Sequence, residues 1–176
     1  MADVRATHLT LLARWRGAMN LVGPGPLEPH FDDSAAAVRA FSARGRWADL
    51  GSGAGFPGVA LAAAHPGAEV TLVESRDKRA AFLVQVRAAV GLPNLRVLRA
   101  RVEDLPAAAW DGVISRAFAP PPVFLEHAAR LLVPGGLAVL MLAREEAPEV
   151  GGFSLVSASD YAIEGKPRRV VVLSKS

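Results

Sequence analysis

The chain has 176 residues, 51% of them hydrophobic, with 20 basic against 17 acidic side chains for a net charge of +3. That length buries roughly 70% of the surface an unfolded chain exposes, so one domain over residues 1–176 is expected. With no cysteine there is no disulfide framework or thiolate site, four scattered histidines predict no metal site, and a reducing cytoplasm is the expected setting.

Leu12, Trp15, Met19 and Val22 recur at helical spacing and predict an N-terminal helix that ends before Gly23-Pro24-Gly25-Pro26. The apolar run from Leu9 to Ala13 is too short, and its flanks too charged, for a signal peptide. No stretch approaches the roughly 18 uncharged apolar residues of a membrane span, so no membrane partner is expected. Asp33 or Ser34 can cap a second helix running through Val38 and Phe41, which makes residues 1–45 a helical extension.

From Trp47 onward, short apolar runs alternate with helical periods. WADL is followed by a helix to Ala64, EVTLV by a helix over Asp77 to Val90, and LRVLR by a short turn. DGVIS precedes a helix from about Pro122 to Leu132, and GLAVLML precedes two last runs, FSLVS and RRVVVLS. Alternating strands and helices predict an α/β fold, a parallel sheet with helices on both faces, and the final pair a closing antiparallel hairpin. Gly91 suits a left-handed helix cap, and Pro134-Gly135-Gly136 turns the chain into the fifth strand.

The stretch GSGAGFPG follows the first strand, at the edge of the sheet where such folds bind ligands. Gly51, Gly53 and Gly55 remove side chains that would keep a ligand off the backbone. Phe56 stands where a dinucleotide fingerprint has its third glycine, and no Lys-Ser follows to make a triphosphate loop. Asp49 puts a carboxylate beside the loop, which suits a cationic ligand. Glu74 ends the second strand 23 residues past Gly51, near the interval at which an acid accepts from ribose hydroxyls. Loop and acid together point to an adenosine-type ligand without a pyrophosphate, and S-adenosylmethionine fits. Val102 and Glu103 follow the third strand, where they read an adenine ring, or Glu103 caps the turn at Asp104-Leu105-Pro106.

DLGSGAGFPG, LVESRDKRAAFL, RVEDLP and DGVISRAFAP, with Trp15, Asn20-Leu21, His30 and Asp33-Ser34 upstream, resemble the bacterial RsmG family, also called glucose-inhibited division protein B. These are methyltransferases of guanine N7 in 16S ribosomal RNA, and the resemblance covers roughly residues 9 to 145. It implies a Rossmann-like class I methyltransferase fold with a seven-stranded, mostly parallel sheet, S-adenosylmethionine as cofactor, and 16S RNA or the small ribosomal subunit as partner. By position it implies cofactor contacts at Gly51, Phe56, Val102, Glu103 and Arg116, with Glu74 as the ribose acid and Gly53 in the same loop. The sequence departs from the family at Val22, usually threonine, at Ala143-Arg144, usually Lys-Gly, and in a short N-terminus.

Guanine N7 carries an in-plane lone pair and no proton, so its methylation needs orientation rather than a general base. No catalytic residue is assigned. Phe118, in AFAPPP after the fourth strand, stacks on the guanine or belongs to the core, and Ala119 lacks the amide or acid that amino-directed methyltransferases use. Arg116, Phe118 and Arg144 are the candidate RNA contacts, with Arg14, Arg16, Arg76, Lys78, Arg79 and Lys166 to Arg169 as the wider basic surface. The expected protein is a monomeric enzyme. The rival readings are a small-molecule methyltransferase and a cofactor- and RNA-binding module with little turnover.

Overall fold

A computed structural model describes residues 3–19, 21–143 and 151–176. Its centre is a seven-stranded sheet in the order β3-β2-β1-β4-β5-β7-β6. The parallel strands are β1 (Gly45–Leu50), β2 (Ala68–Glu74), β3 (Leu95–Arg99), β4 (Trp110–Arg116) and β5 (Leu132–Leu142). The hairpin of β6 (Phe153–Ile163) and β7 (Lys166–Lys175) closes one edge, with β7 antiparallel to β5. Both the parallel sheet and the hairpin match the sequence expectation.

Side chains alternate between the two faces of each strand, and both faces are covered, which is why the strands read as continuous apolar runs. Trp47, Val70, Leu72 and Ile114 pack against four helices: α1 (Val4–Met19), α2 (Glu28–Val38), α3 (Gly58–Ala64) and α4 (Asp77–Val90). Ala48, Leu50, Val73 and Val113 pack on the other face against Phe124, Leu125 and Leu131 of α5 (Pro121–Leu131). The fit leaves no slack at the centre. A Cβ on Gly112 would lie 2.3 Å from the Trp47 ring, so Gly112→Ala is expected to cost about 1–3 kcal/mol by overpacking, read as a lower urea midpoint.

Three boundaries differ from expectation. α2 begins at Glu28, five residues before Asp33, because Pro29 occupies its first turn, where a missing N–H costs nothing. Asp33 and Ser34 are therefore inside the helix and buried, and the Ser34 hydroxyl donates back to the His30 carbonyl at 2.9 Å. In α1 the buried face is His8, Leu9 and Leu12. Trp15 is 38% exposed at the edge of that face, its ring 6.3 Å from Phe82, and Val22 lies beyond the helix end. Finally, Pro134-Gly135-Gly136 does not precede β5 but forms an irregularity within it, where the register against β4 shifts between Trp110 and Gly112. Gly91 does cap α4 in the left-handed region, at φ 64°.

The chain winds from β1 outward to β3, returns across the sheet, and enters β4 on the other side of β1. Adjacent crossovers thus diverge at the carboxyl ends of β1 and β4, leaving a crevice there. Among the described residues no helix is long and apolar enough to cross a membrane.

Candidate functional site

A cavity of about 670 Å³ opens at that divergence. Gly51, Gly53 and Phe56 line it from the loop after β1, Arg116 from the end of β4, Asp33 from α2 and Arg168 from β7. Four of the sequence-predicted site residues, Gly51, Gly53, Phe56 and Arg116, thus share one cavity.

The loop is held from two sides. Glu74, 5% exposed at the end of β2, accepts the Gly53 N–H on Oε2 at 3.1 Å and the Arg76 N–H on Oε1 at 2.9 Å. Among the described residues each carboxylate oxygen takes one hydrogen bond, and each has lone-pair capacity for another donor. From α1, the fully buried His8 meets the Ala54 carbonyl with Nε2 at 2.7 Å. The glycines divide their tasks in a way the sequence does not reveal. A Cβ at Gly51 would lie 2.5 Å from Phe118 Cδ2, so this glycine admits a protein side chain, whereas a Cβ at Gly53 would meet nothing nearer than 3.7 Å. Gly53 is the open position of the loop.

Arg116 anchors the opposite wall. Its guanidinium lies 4.8 Å from the centroid of Phe56, donates to the His30 carbonyl at 3.0 Å and stands 3.5 Å from Asp33 Oδ2. Asp33 also accepts from the Tyr161 hydroxyl at 2.8 Å and faces Arg168 at 3.8 Å. Burial lowers the Arg116 pKa while Asp33 and Asp49 oppose that shift, and an arginine starts high enough to remain a cation. Burial, and then Arg116, also lower the pKa of His30, with Asp33 opposing. Burial and the charge of Asp33 raise that of Tyr161, which stays a hydroxyl donor.

Asp49 does not face the cavity as its place beside the loop suggested. It is fully buried, because strand alternation turns it to the same face as Trp47, and its Oδ2 accepts the Gly58 N–H at the start of α3 at 3.0 Å. Among the described residues its Oδ1 has no hydrogen-bond partner. Burial pushes its pKa up to about 7, against the Gly58 hydrogen bond.

The remaining predicted residues form a separate group. Val102 is buried in the core cluster of α5, and its carbonyl accepts from Arg130 at 2.6 Å. Glu103 is exposed, with Oε1 3.9 Å from His127 Nε2, and the short 3₁₀ turn Val102–Asp104 has no side-chain cap bond. Phe118 packs partly on this same core and has its ring 5.8 Å from that of His127, so a line of side chains runs from Gly51 to Glu103. Arg144 lies outside the described residues, as does Asn20. Sequence reasoning missed His8 altogether and read Asp33 as a helix cap. The His30 to Asp33 spacing on one helix face was the available signal for the latter. Among the described residues no group of three His, Asp or Glu is placed to hold a metal ion.

Residues 5–165 match the model of the family described as rRNA small subunit methyltransferase G. The chain is similar to "Ribosomal RNA small subunit methyltransferase G" of Paracoccus denitrificans, 37% identical over 82% of this chain and 78% of that one. It is similar also to the protein of the same name from Pseudomonas fluorescens, 42% identical over 63% of this chain and 54% of the relative, just over half of the latter's length. Among solved structures, a SAM-dependent methyltransferase from Aquifex aeolicus shares the fold, with a TM-score of 0.63, 17% identity and coverage of 84% of this chain and 92% of that one.

Proposed function

The chain belongs to the rRNA small subunit methyltransferase G family, and from that premise we propose that it methylates N7 of a guanine in 16S ribosomal RNA. Its cofactor is S-adenosylmethionine, which supplies an electrophilic methyl carbon. Residues 1–176 act as one methyltransferase domain, the N-terminal helices completing the site rather than standing apart from it. The observation that carries the reading is the cavity itself: an open glycine loop facing a fixed arginine.

Glu74 would take the ribose hydroxyls on its spare lone pairs, and Gly53 would let the cofactor approach the backbone. Glu103 and the Val102 backbone would meet the adenine, on the far side of Phe118 from the loop. Arg116 suits the guanine edge that carries N7 and O6, both acceptors. Asp33 is engaged by Tyr161 and flanked by two arginines, so it orients Arg116 rather than serving as a base. Proton abstraction is not needed at N7, and the work of the site is to align lone pair and methyl carbon at about 3–3.5 Å. Phe118 and Arg144 are the further residues proposed to meet the RNA.

The test supplies labelled S-adenosylmethionine with naked 16S RNA or small subunits lacking the mark, followed by borohydride and aniline cleavage. Label in RNA with strand scission at one guanine is the expected result. Label confined to small metabolites makes the protein a small-molecule methyltransferase. Cofactor binding without any transfer makes it a binding module.

A further inference from the structure

Gly55, the third glycine of the loop, packs against protein. A Cβ there would lie 3.1 Å from Val59 Cγ2 and 3.2 Å from Cε1 and Nε2 of His8, and its φ is +92°. The loop is cut away at this point so that an imidazole from α1 can enter. Because the Ala54 carbonyl can only accept, His8 carries its proton on Nε2 and donates it, at 2.7 Å. Nδ1 is then a bare acceptor, buried and without a partner among the described residues. The same ring lies 4.6 Å from the centroid of Phe56, whose own ring is the one under Arg116. Burial, with Arg116 nearby, pushes the His8 pKa down to about 4 against the bond to Ala54, so the ring is neutral at ordinary pH.

A residue needed only to fill this space would be apolar. A buried imidazole leaves one nitrogen unsatisfied, whereas a phenyl ring of similar size would leave the buried Ala54 carbonyl unpaired instead. What a phenyl ring lacks is the N–H on Ala54. We infer that His8 is a positioning residue for methyl transfer, holding the Ala54 carbonyl and the Phe56 ring and so fixing the loop between Glu74's anchor at Gly53 and Arg116. The helical extension is then part of the cofactor site, at a distance of 46 residues along the chain. The inference rests on the reading of the loop as the S-adenosylmethionine site.

Three variants of the full chain separate positioning from packing, each measured for S-adenosylmethionine affinity by calorimetry and for its urea midpoint at pH 7.5. His8→Phe keeps a ring but loses the donor. Its midpoint is expected close to that of the wild type, the orphan Nδ1 being exchanged for an unpaired Ala54 carbonyl, while its dissociation constant rises about fivefold, the loss of one hydrogen bond. His8→Gln restores an N–H donor without the ring, so its midpoint falls and its affinity stays within about twofold of wild type. His8→Ala loses both, and in steady state its cofactor KM rises more than its kcat falls. Affinity should follow the donor and not the stability. Wild-type affinity in His8→Phe, or affinity that tracks the midpoint through the series, overturns the inference. If His8→Ala does not fold, the Phe and Gln variants decide alone, and a wild-type protein that binds no S-adenosylmethionine overturns the cofactor reading and this inference with it.

Discussion

Glu74→Ala should raise the dissociation constant for S-adenosylmethionine by a factor of about 100 or more. Two losses add. The ribose loses an anionic acceptor, and hydrogen bonds to charged groups are worth about 1.5–3 kcal/mol each. The loop also loses its anchor, since the Gly53 and Arg76 N–H groups now end on the two oxygens of this one side chain. Glu74→Gln separates the effects. Its amide oxygen can still accept one of the two N–H groups, so the loop stays closer to its place while the anion is gone, and an intermediate loss of about tenfold is expected. Isothermal calorimetry measures the affinity, and the urea midpoint reports the anchor. Equal affinity in the wild type and Glu74→Ala would remove Glu74 from the cofactor site.

The second large effect is on stability, and it is hidden in the native protein. Burial pushes the pKa of Asp49 up to about 7 in the folded state, against 3.8 for a solvated aspartate. Between those values the folded chain holds a proton the unfolded chain has released, so this group's contribution to stability falls as pH rises from about 4 to 7. His8 runs the other way, at about 4 folded against 6.5. There the unfolded chain binds the proton, and stability falls as pH drops from about 6.5 to 4. At about 1.4 kcal/mol per unit the two amount to about 4 and about 3 kcal/mol in opposite directions, and they nearly cancel over the shared window. Relative to wild type, Asp49→Asn should therefore gain about 4 kcal/mol between pH 4 and 7. His8→Phe should gain about 3 kcal/mol as pH is lowered from 6.5 to 4. Urea denaturation at four pH values reads both differences, with the background of other carboxylates common to all three proteins. A pH-independent difference in either variant would falsify its assignment.

What could be read from the sequence was whatever depends on near neighbours. α4 has the predicted ends, Asp77 and Val90, because Gly91 sits at the left-handed cap. Spacing set Glu74 beside the loop, where its carboxylate does accept the Gly53 N–H, since the loop and the next strand end are fixed by the fold itself. Phe56 and Arg116 came from resemblance, and they meet in the structure as ring and cation. His8 carried no local signal, because its purpose is a contact with a distant carbonyl. Asp33 gave a misleading one: an acid before Ser and three alanines looks like a cap, and only Arg116, Arg168 and Tyr161 show why it is buried. The glycines misled in part as well. They were read as room for a ligand; Gly51 and Gly53 do line the cavity, while a Cβ at Gly51 would also meet Phe118 and one at Gly55 would meet Val59 and His8.

The bond from Tyr161 to Asp33 joins residues 128 positions apart, and Arg168 comes later still. The glycine loop, Glu74 and Arg116 can be in place as soon as β1, β2 and β4 have paired, but the far wall of the cavity waits for the last hairpin. During synthesis, which proceeds from the N-terminus, the chain passes through a stage with a formed loop and an unfinished cavity. The two ends of the described chain thus close one wall together, α2 supplying Asp33 and the last hairpin supplying Tyr161 and Arg168.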